Sequence, residues 1–144
     1  EENAVTGIAS SPPAGLDPKL PPVLVVDDDP ISRLVAVGMV ESMGRSAITS
    51  SHGAEALAMF APGKFGAILM DLAMPGMDGF AATREIRRLE EVAGVRTATP
   101  IIALTANVSE SERGRCLVEG MNGFLAKPCS KREFEEKLRP LLTV

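Results

Sequence analysis

The most constraining feature of this chain is a repeated alternation of short apolar runs with stretches long enough for one helix. The runs cover residues 23–26, 47–49, 67–70, 101–104 and 123–126. Most are continuously apolar, the pattern of strands buried on both faces in a parallel sheet covered by helices. Five such units in a row predict an α/β domain with a doubly wound five-stranded parallel sheet and right-handed crossovers. Between the runs, Ala54, Leu57, Ala58 and Ala61 form one apolar stripe at helical spacing. Ala82, Ile86 and Leu89 form another, and Phe134, Leu138, Leu141 and Leu142 a third. The first helix, around residues 31–43, is apolar almost all round and is expected to be well buried.

Punctuation agrees with this layout. Asp29 before Pro30 reads as an N-cap with proline at the first helical position, and Asp78 reads as the cap of the third helix. Ser109 with Glu112 and Ser130 with Glu133 have the spacing of capping boxes. The fourth helix has few apolar anchors and carries Gly114 in its interior, so it is expected to be the mobile element.

At 144 residues the chain has room for one compact domain. Residues 1–21, with Pro12, Pro13, Pro18 and Pro21 and no apolar period, read as a flexible linker, and 22–144 as the folded domain. The chain opens on Glu1 rather than Met, giving the expectation that the linker tethers the domain to something upstream. Fifteen Lys and Arg against nineteen Asp and Glu leave no basic run to coat a phosphate backbone, which argues against nucleic-acid binding. No apolar stretch reaches the ~20 residues of a membrane-spanning helix, so the domain reads as cytoplasmic without direct membrane contact, any membrane anchor belonging to a parent protein. Histidine-dependent hydrolysis and histidine-ligated zinc would both rest on His52 alone, which reads as a solvated loop residue. Cys116 and Cys129 lack metal-ligand spacing and read as reduced thiols.

In an open α/β sheet the ligand crevice lies outside the carboxyl ends of the strands. The first run leads into Asp27 and Asp28, the third into Asp71, the fourth into Thr105 and the fifth into Lys127. Three carboxylates on one rim repel by about 4 kcal/mol per pair at roughly 4 Å and an effective dielectric of about 20. Lys127 and a hard divalent ion with oxygen ligands, for which Mg²⁺ is suited, offset that repulsion. Such a rim suits a phosphoryl group, with Asp71 as nucleophile in an in-line transfer.

Four segments carry a family resemblance: Val-Leu-Val-Val-Asp-Asp-Asp-Pro at 23–30, Leu-Met-Asp-Leu-Ala-Met-Pro-Gly-Met-Asp-Gly at 69–79, Ile-Ile-Ala-Leu-Thr-Ala-Asn at 101–107 and Gly-Phe-Leu-Ala-Lys-Pro at 123–128. In this order, at the ends of successive strands, they resemble the receiver domain of two-component response regulators. The resemblance implies a flavodoxin-like (βα)5 fold of strand order 2-1-3-4-5. It implies that Asp71 is phosphorylated from a phosphohistidine, and that Asp27, Asp28, Asp71 and the backbone carbonyl of Ala73 hold Mg²⁺. Lys127 would bind the phosphoryl group, Thr105 would swing toward it, and Phe124 would rotate inward behind Thr105, changing the surface of the fourth helix, fifth strand and fifth helix. The Lys127–Pro128 peptide is a cis candidate. The implied partners are a histidine kinase or a histidine phosphotransfer protein, upstream kinase domains of the same chain among them, since the wording of the motifs resembles the receiver module of a hybrid histidine kinase.

Several positions depart from the family pattern. Phe124 stands where Tyr is usual, so no phenolic hydrogen bond reports the state. Ala73 has no side chain to orient an attacking water, which implies slow dephosphorylation, Asn107 flanks the same position, and the small Ala106 leaves the pocket open to a donor. The sequence stops soon after helix five, giving the expectation that no output domain follows and that output comes through contact. The domain reads as a phosphoacceptor that assists its own phosphorylation and dephosphorylation rather than as an enzyme; in a hybrid protein the parent would be a histidine kinase. Two alternatives stay open: an unphosphorylated receiver-like docking module, and a haloacid-dehalogenase-like phosphatase using Asp27 and Asp29, which would leave Asp71 without a role.

Overall fold

The computed structural model describes residues 20–106 and 109–142. Five strands, β1 (Val23–Val26), β2 (Ala47–Ser50), β3 (Ala67–Asp71), β4 (Ile101–Thr105) and β5 (Gly123–Ala126), form one parallel sheet in the order β2-β1-β3-β4-β5. The connections are α1 (Pro30–Ser42), α2 (Gly53–Met59), α3 (Gly79–Ala93) and α4 (Glu110–Val118). α5 (Lys131–Leu138) follows β5 and continues into a 3₁₀ turn, Arg139–Leu141. The strand order reverses between β1 and β3, so the crevice at their carboxyl ends is the switch point of the sheet.

Every residue of β1, β3 and β4 is buried, as continuously apolar central strands require. Alternate residues feed opposite faces. Leu24, Val26, Ile68 and Met70 pack with Ala56, Phe80, Ile86 and Cys116 of α2, α3 and α4. Val23, Val25 and Leu69 pack with Ala36, Val40, Phe134 and Leu138 of α1 and α5.

Two sequence expectations are corrected. α1 is not well buried: only Ala36 and Val40 are, while Ile31, Leu34 and Val35 are 72%, 71% and 52% exposed. A one-layer cover of the sheet gives α1 a single neighbouring face, so apolar residues beyond it face outward. α2 turns Ala56 into the core, with Leu57 packed at its edge, whereas Ala54, Ala58 and Ala61 are exposed. Alanines on a short helix carry too little apolar area to dictate which face is buried, and Phe60, just past its end, is the stronger anchor.

Of the expected caps, only that of α4 differs in detail. Asp29 accepts from the amides of Ile31 and Ser32, and Asp78 from that of Ala81. Ser130 and Glu133 form a complete capping box. Ser109 accepts from the Glu112 amide at 3.1 Å, but the Glu112 carboxylate is taken by the Thr105 hydroxyl at 2.6 Å. His52 is exposed, as expected, yet it is also the N-cap of α2, its Nδ1 accepting from the Glu55 amide.

Candidate functional site

The backbone delivers the site residues to one rim because the strands are parallel and in register. Val26 pairs with Met70, Asp71 with Leu104, and Thr105 with Ala126, so the next residue or the last of each strand sits at the same edge. Asp27 and Asp71 are buried, and Asp28 is exposed beside them. One carboxylate oxygen from each of the three lies within 4.8 Å of the others. The Lys127 ammonium stands between two of them, 2.8 Å from Asp27 Oδ2 and 3.5 Å from Asp71 Oδ2.

The remaining carboxylate oxygens are fixed by backbone amides. Asp27 Oδ1 accepts from the Asp29 amide at 2.9 Å, and Asp71 Oδ1 from the Ala73 amide at 3.1 Å. Asp27 Oδ2 is buried with no hydrogen-bond donor aligned on it; its partner is the Lys127 charge. A single ammonium facing a trio of carboxylates, with one buried oxygen short of donors, is a donor set that suits a hard cation bound through oxygen. Gly79 completes the frame: a Cβ there would collide with the Asp71 carbonyl and press on Leu72, so only glycine lets α3 start this close to the end of β3.

Burial is the main reason that the Asp71 carboxyl is pushed up to about 7, and the Asp27 charge adds to it; the Ala73 amide and Lys127 act in the opposite direction. Burial pulls the Lys127 ammonium down, but its contacts with Asp27 and Asp71 outweigh that and raise it above its ordinary value, so the cation is retained. A strongly perturbed carboxyl beside a cation, in the crevice of the sheet, marks a candidate functional site.

Thr105 and Lys127, expected on the rim, are there. Ala106 is exposed just past β4, and Ala73 is exposed two residues beyond Asp71. Asn107 lies outside the described residues, as do residues 1–19 of the expected linker. The Lys127–Pro128 peptide is cis. The Phe124 ring is half-buried, with the Arg113 guanidinium 4.9 Å and the Lys137 ammonium 5.5 Å from its centre. The residue that sequence reading missed is Glu112. Its capping-box spacing concealed it, although the nearby strand end carrying a hydroxyl was a signal that a second acceptor role was within reach.

The family model of the response regulator receiver domain matches residues 23–139. Among curated proteins, the sensor histidine kinase GacS of Pseudomonas protegens is 38% identical over 128 residues, which cover 88% of this chain and 14% of GacS. The chain thus spans only about a seventh of that relative's length. The receiver domain of the histidine kinase CKI1 from Arabidopsis thaliana, solved with Mg²⁺ and BeF₃⁻, is 37% identical with a TM-score of 0.73, covering 84% of this chain and 89% of that one. The receiver domain of Ssk1 from Saccharomyces cerevisiae, solved with the histidine phosphotransfer protein Ypd1, is 27% identical with a TM-score of 0.76, covering 82% of this chain and 86% of that one. A match over nearly the whole described domain, on a sheet of the same order with its acidic residues at the switch point, shows that this chain belongs to the response regulator receiver domain family, the signalling domain of phosphorelay systems.

Proposed function

We propose that Asp71 is the phosphoacceptor of this domain and takes its phosphoryl group from a phosphohistidine. The observation that carries the reading is the Lys127 ammonium set between Asp27 and Asp71 at the carboxyl ends of β1, β3 and β5. An Asp71 carboxylate oxygen forms the new bond to phosphorus as the P–N bond of the phosphohistidine breaks. The electron pair of that bond returns to the imidazole, which leaves neutral when its other nitrogen carries a proton. Lys127 moves its charge from the free carboxylate to the phosphoryl oxygens, and Thr105 donates to one of them. Asp27, Asp28, Asp71 and the carbonyl of Ala73 would hold Mg²⁺, which supplies neutralisation of the phosphoryl charge when bound.

The partner reading rests on α1. Ile31, Leu34 and Val35 leave an apolar face beside the rim, next to a cavity of about 360 Å³ between α1 and the β5–α5 connection. An exposed apolar helix face bordered by the acidic rim suits the helix that presents a phosphohistidine. We place the domain within a hybrid histidine kinase, as in the GacS and CKI1 relatives, where it would be a signalling acceptor and not itself the kinase. No helix among the described residues is long and apolar enough to cross a membrane.

Mixing the chain with a histidine phosphotransfer protein labelled on its phosphohistidine tests this reading. Transfer of label to Asp71, as a hydroxylamine-labile acyl phosphate, is expected. Tight binding of that protein with no transfer would favour the docking-module alternative.

A further inference from the structure

We infer that Glu112, in the first turn of α4, is a positioning residue of the switch: it holds the Thr105 hydroxyl while Asp71 is unmodified and must release it on phosphorylation. The inference rests on Asp71 being the phosphoacceptor and Thr105 its hydroxyl donor.

Threonine has one O–H proton to donate, and in this structure that proton goes to Glu112 Oε1 at 2.6 Å. A hydrogen bond this short to a carboxylate is of the charge-assisted kind. A phosphoryl group on Asp71 would compete for the same proton. The two acceptors cannot both hold it, and their negative charges repel, so donation to the phosphoryl group and retention of Glu112 exclude each other.

Release matters because α4 has little else to hold it. Cys116 is the one buried side chain among its residues, and Gly114 in its interior touches nothing with the position of a Cβ. The next residue, Arg113, lies over the Phe124 ring at 4.9 Å. Consecutive residues of one helical turn therefore hold the hydroxyl that would meet the phosphoryl group and the ring expected to follow it. Breaking the Glu112 bond loosens that turn and, with it, the cation seated on Phe124. Glu112 thus converts a change at Asp71 into a change at α4 and β5. It does so without any phenolic hydroxyl at position 124.

Beryllofluoride affinity in Mg²⁺, followed by amide NMR shifts, tests the inference on the wild type, Glu112→Ala, Glu112→Gln, Thr105→Val and the double variant Thr105→Val/Glu112→Ala. Loss of the acceptor frees Thr105, so Glu112→Ala should bind about three- to tenfold more tightly, the net scale of one ordinary hydrogen bond, since water compensates on the partly exposed Glu112 side. Glu112→Gln, which lacks the charge but keeps an acceptor, should lie nearer the wild type. In the Thr105→Val background, Glu112→Ala should change affinity by less than about 1.5-fold, since the two residues act as one unit. A merely structural role in capping α4 would give the same change with or without Thr105, and that result overturns the inference, as does unchanged affinity in both Glu112 variants. Failure of the wild type to bind beryllofluoride overturns the phosphoacceptor reading and this inference together. Binding by the wild type with no dependence on Glu112 overturns this inference alone.

Discussion

Three side chains set the chemistry of the rim: Asp27 and Asp71, both buried, and the Lys127 ammonium shared between them. Because burial and the neighbouring carboxylate push Asp71 up to about 7, the metal-free native state binds more protons than the unfolded chain between the ordinary carboxylate value near 4 and about 7. Folding stability contributed by Asp71 is therefore present at low pH and is lost as pH rises through that window. Urea denaturation in chelator should show the wild type losing stability from pH 5 to 7.5 relative to Asp71→Asn, which has no charge to bury. Saturating Mg²⁺ should recover much of the loss at pH 7.5, since a cation stabilises the ionised trio. Equal pH dependence in wild type and variant would contradict this assignment of cause. The rim was legible in the sequence because each acidic, hydroxyl or ammonium residue ends an apolar run. The pairing of Glu112 with Thr105 was not, because the same residue type at the same spacing also satisfies a capping box.

Among the elements, α4 is the one whose sequence and structure agree on weak attachment: nine residues, one buried side chain and an interior glycine. Gly114→Ala should add helix stability of about 0.5–1 kcal/mol, because its Cβ meets nothing and the backbone loses freedom in the unfolded state. Hydrogen exchange should then show the α4 amides protected by up to about fivefold more than in the wild type, with β1 and β3 unchanged. Unaltered α4 protection would mean that its anchorage, not its intrinsic helicity, sets how often it opens. The strands were legible from their apolar runs to within a residue at each end. Helix faces were less so. Only tertiary packing decides that Ile31, Leu34 and Val35 of α1 face outward while Val40 faces the sheet, and a short alanine-rich segment such as α2 does not specify its buried side.

At the scale of the whole molecule, the sheet separates a chemical end from a structural one. Opposite the rim, the buried Arg45 guanidinium donates to the carbonyl of Pro21, just before β1, and to that of Leu142, after α5. It ties the two ends of the domain together, and its bond to Leu142 reaches across 97 residues of chain. Arg45→Ala leaves those carbonyls without their charged donor and should cost about 2 kcal/mol of stability, on the scale of hydrogen bonds to a charged group. Its phosphorylation rate below the unfolding transition should match the wild type. No sequence pattern announced this contact, because an isolated arginine in a loop has no periodicity, and its partners are backbone atoms that any sequence supplies. The fold as a whole was legible for the opposite reason: five apolar runs at helix-length spacing admit few other arrangements, and a parallel sheet then brings its polar strand ends to one edge without further instruction. That this edge is a phosphoryl acceptor is the central claim, and intact mass after incubation with acetyl phosphate tests it most directly, on the wild type and Asp71→Asn, with Mg²⁺ and with chelator. One added phosphoryl group on the wild type, absent in chelator and absent in Asp71→Asn, is the predicted result; an unmodified wild-type mass in Mg²⁺, or an adduct that survives Asp71→Asn, would contradict it.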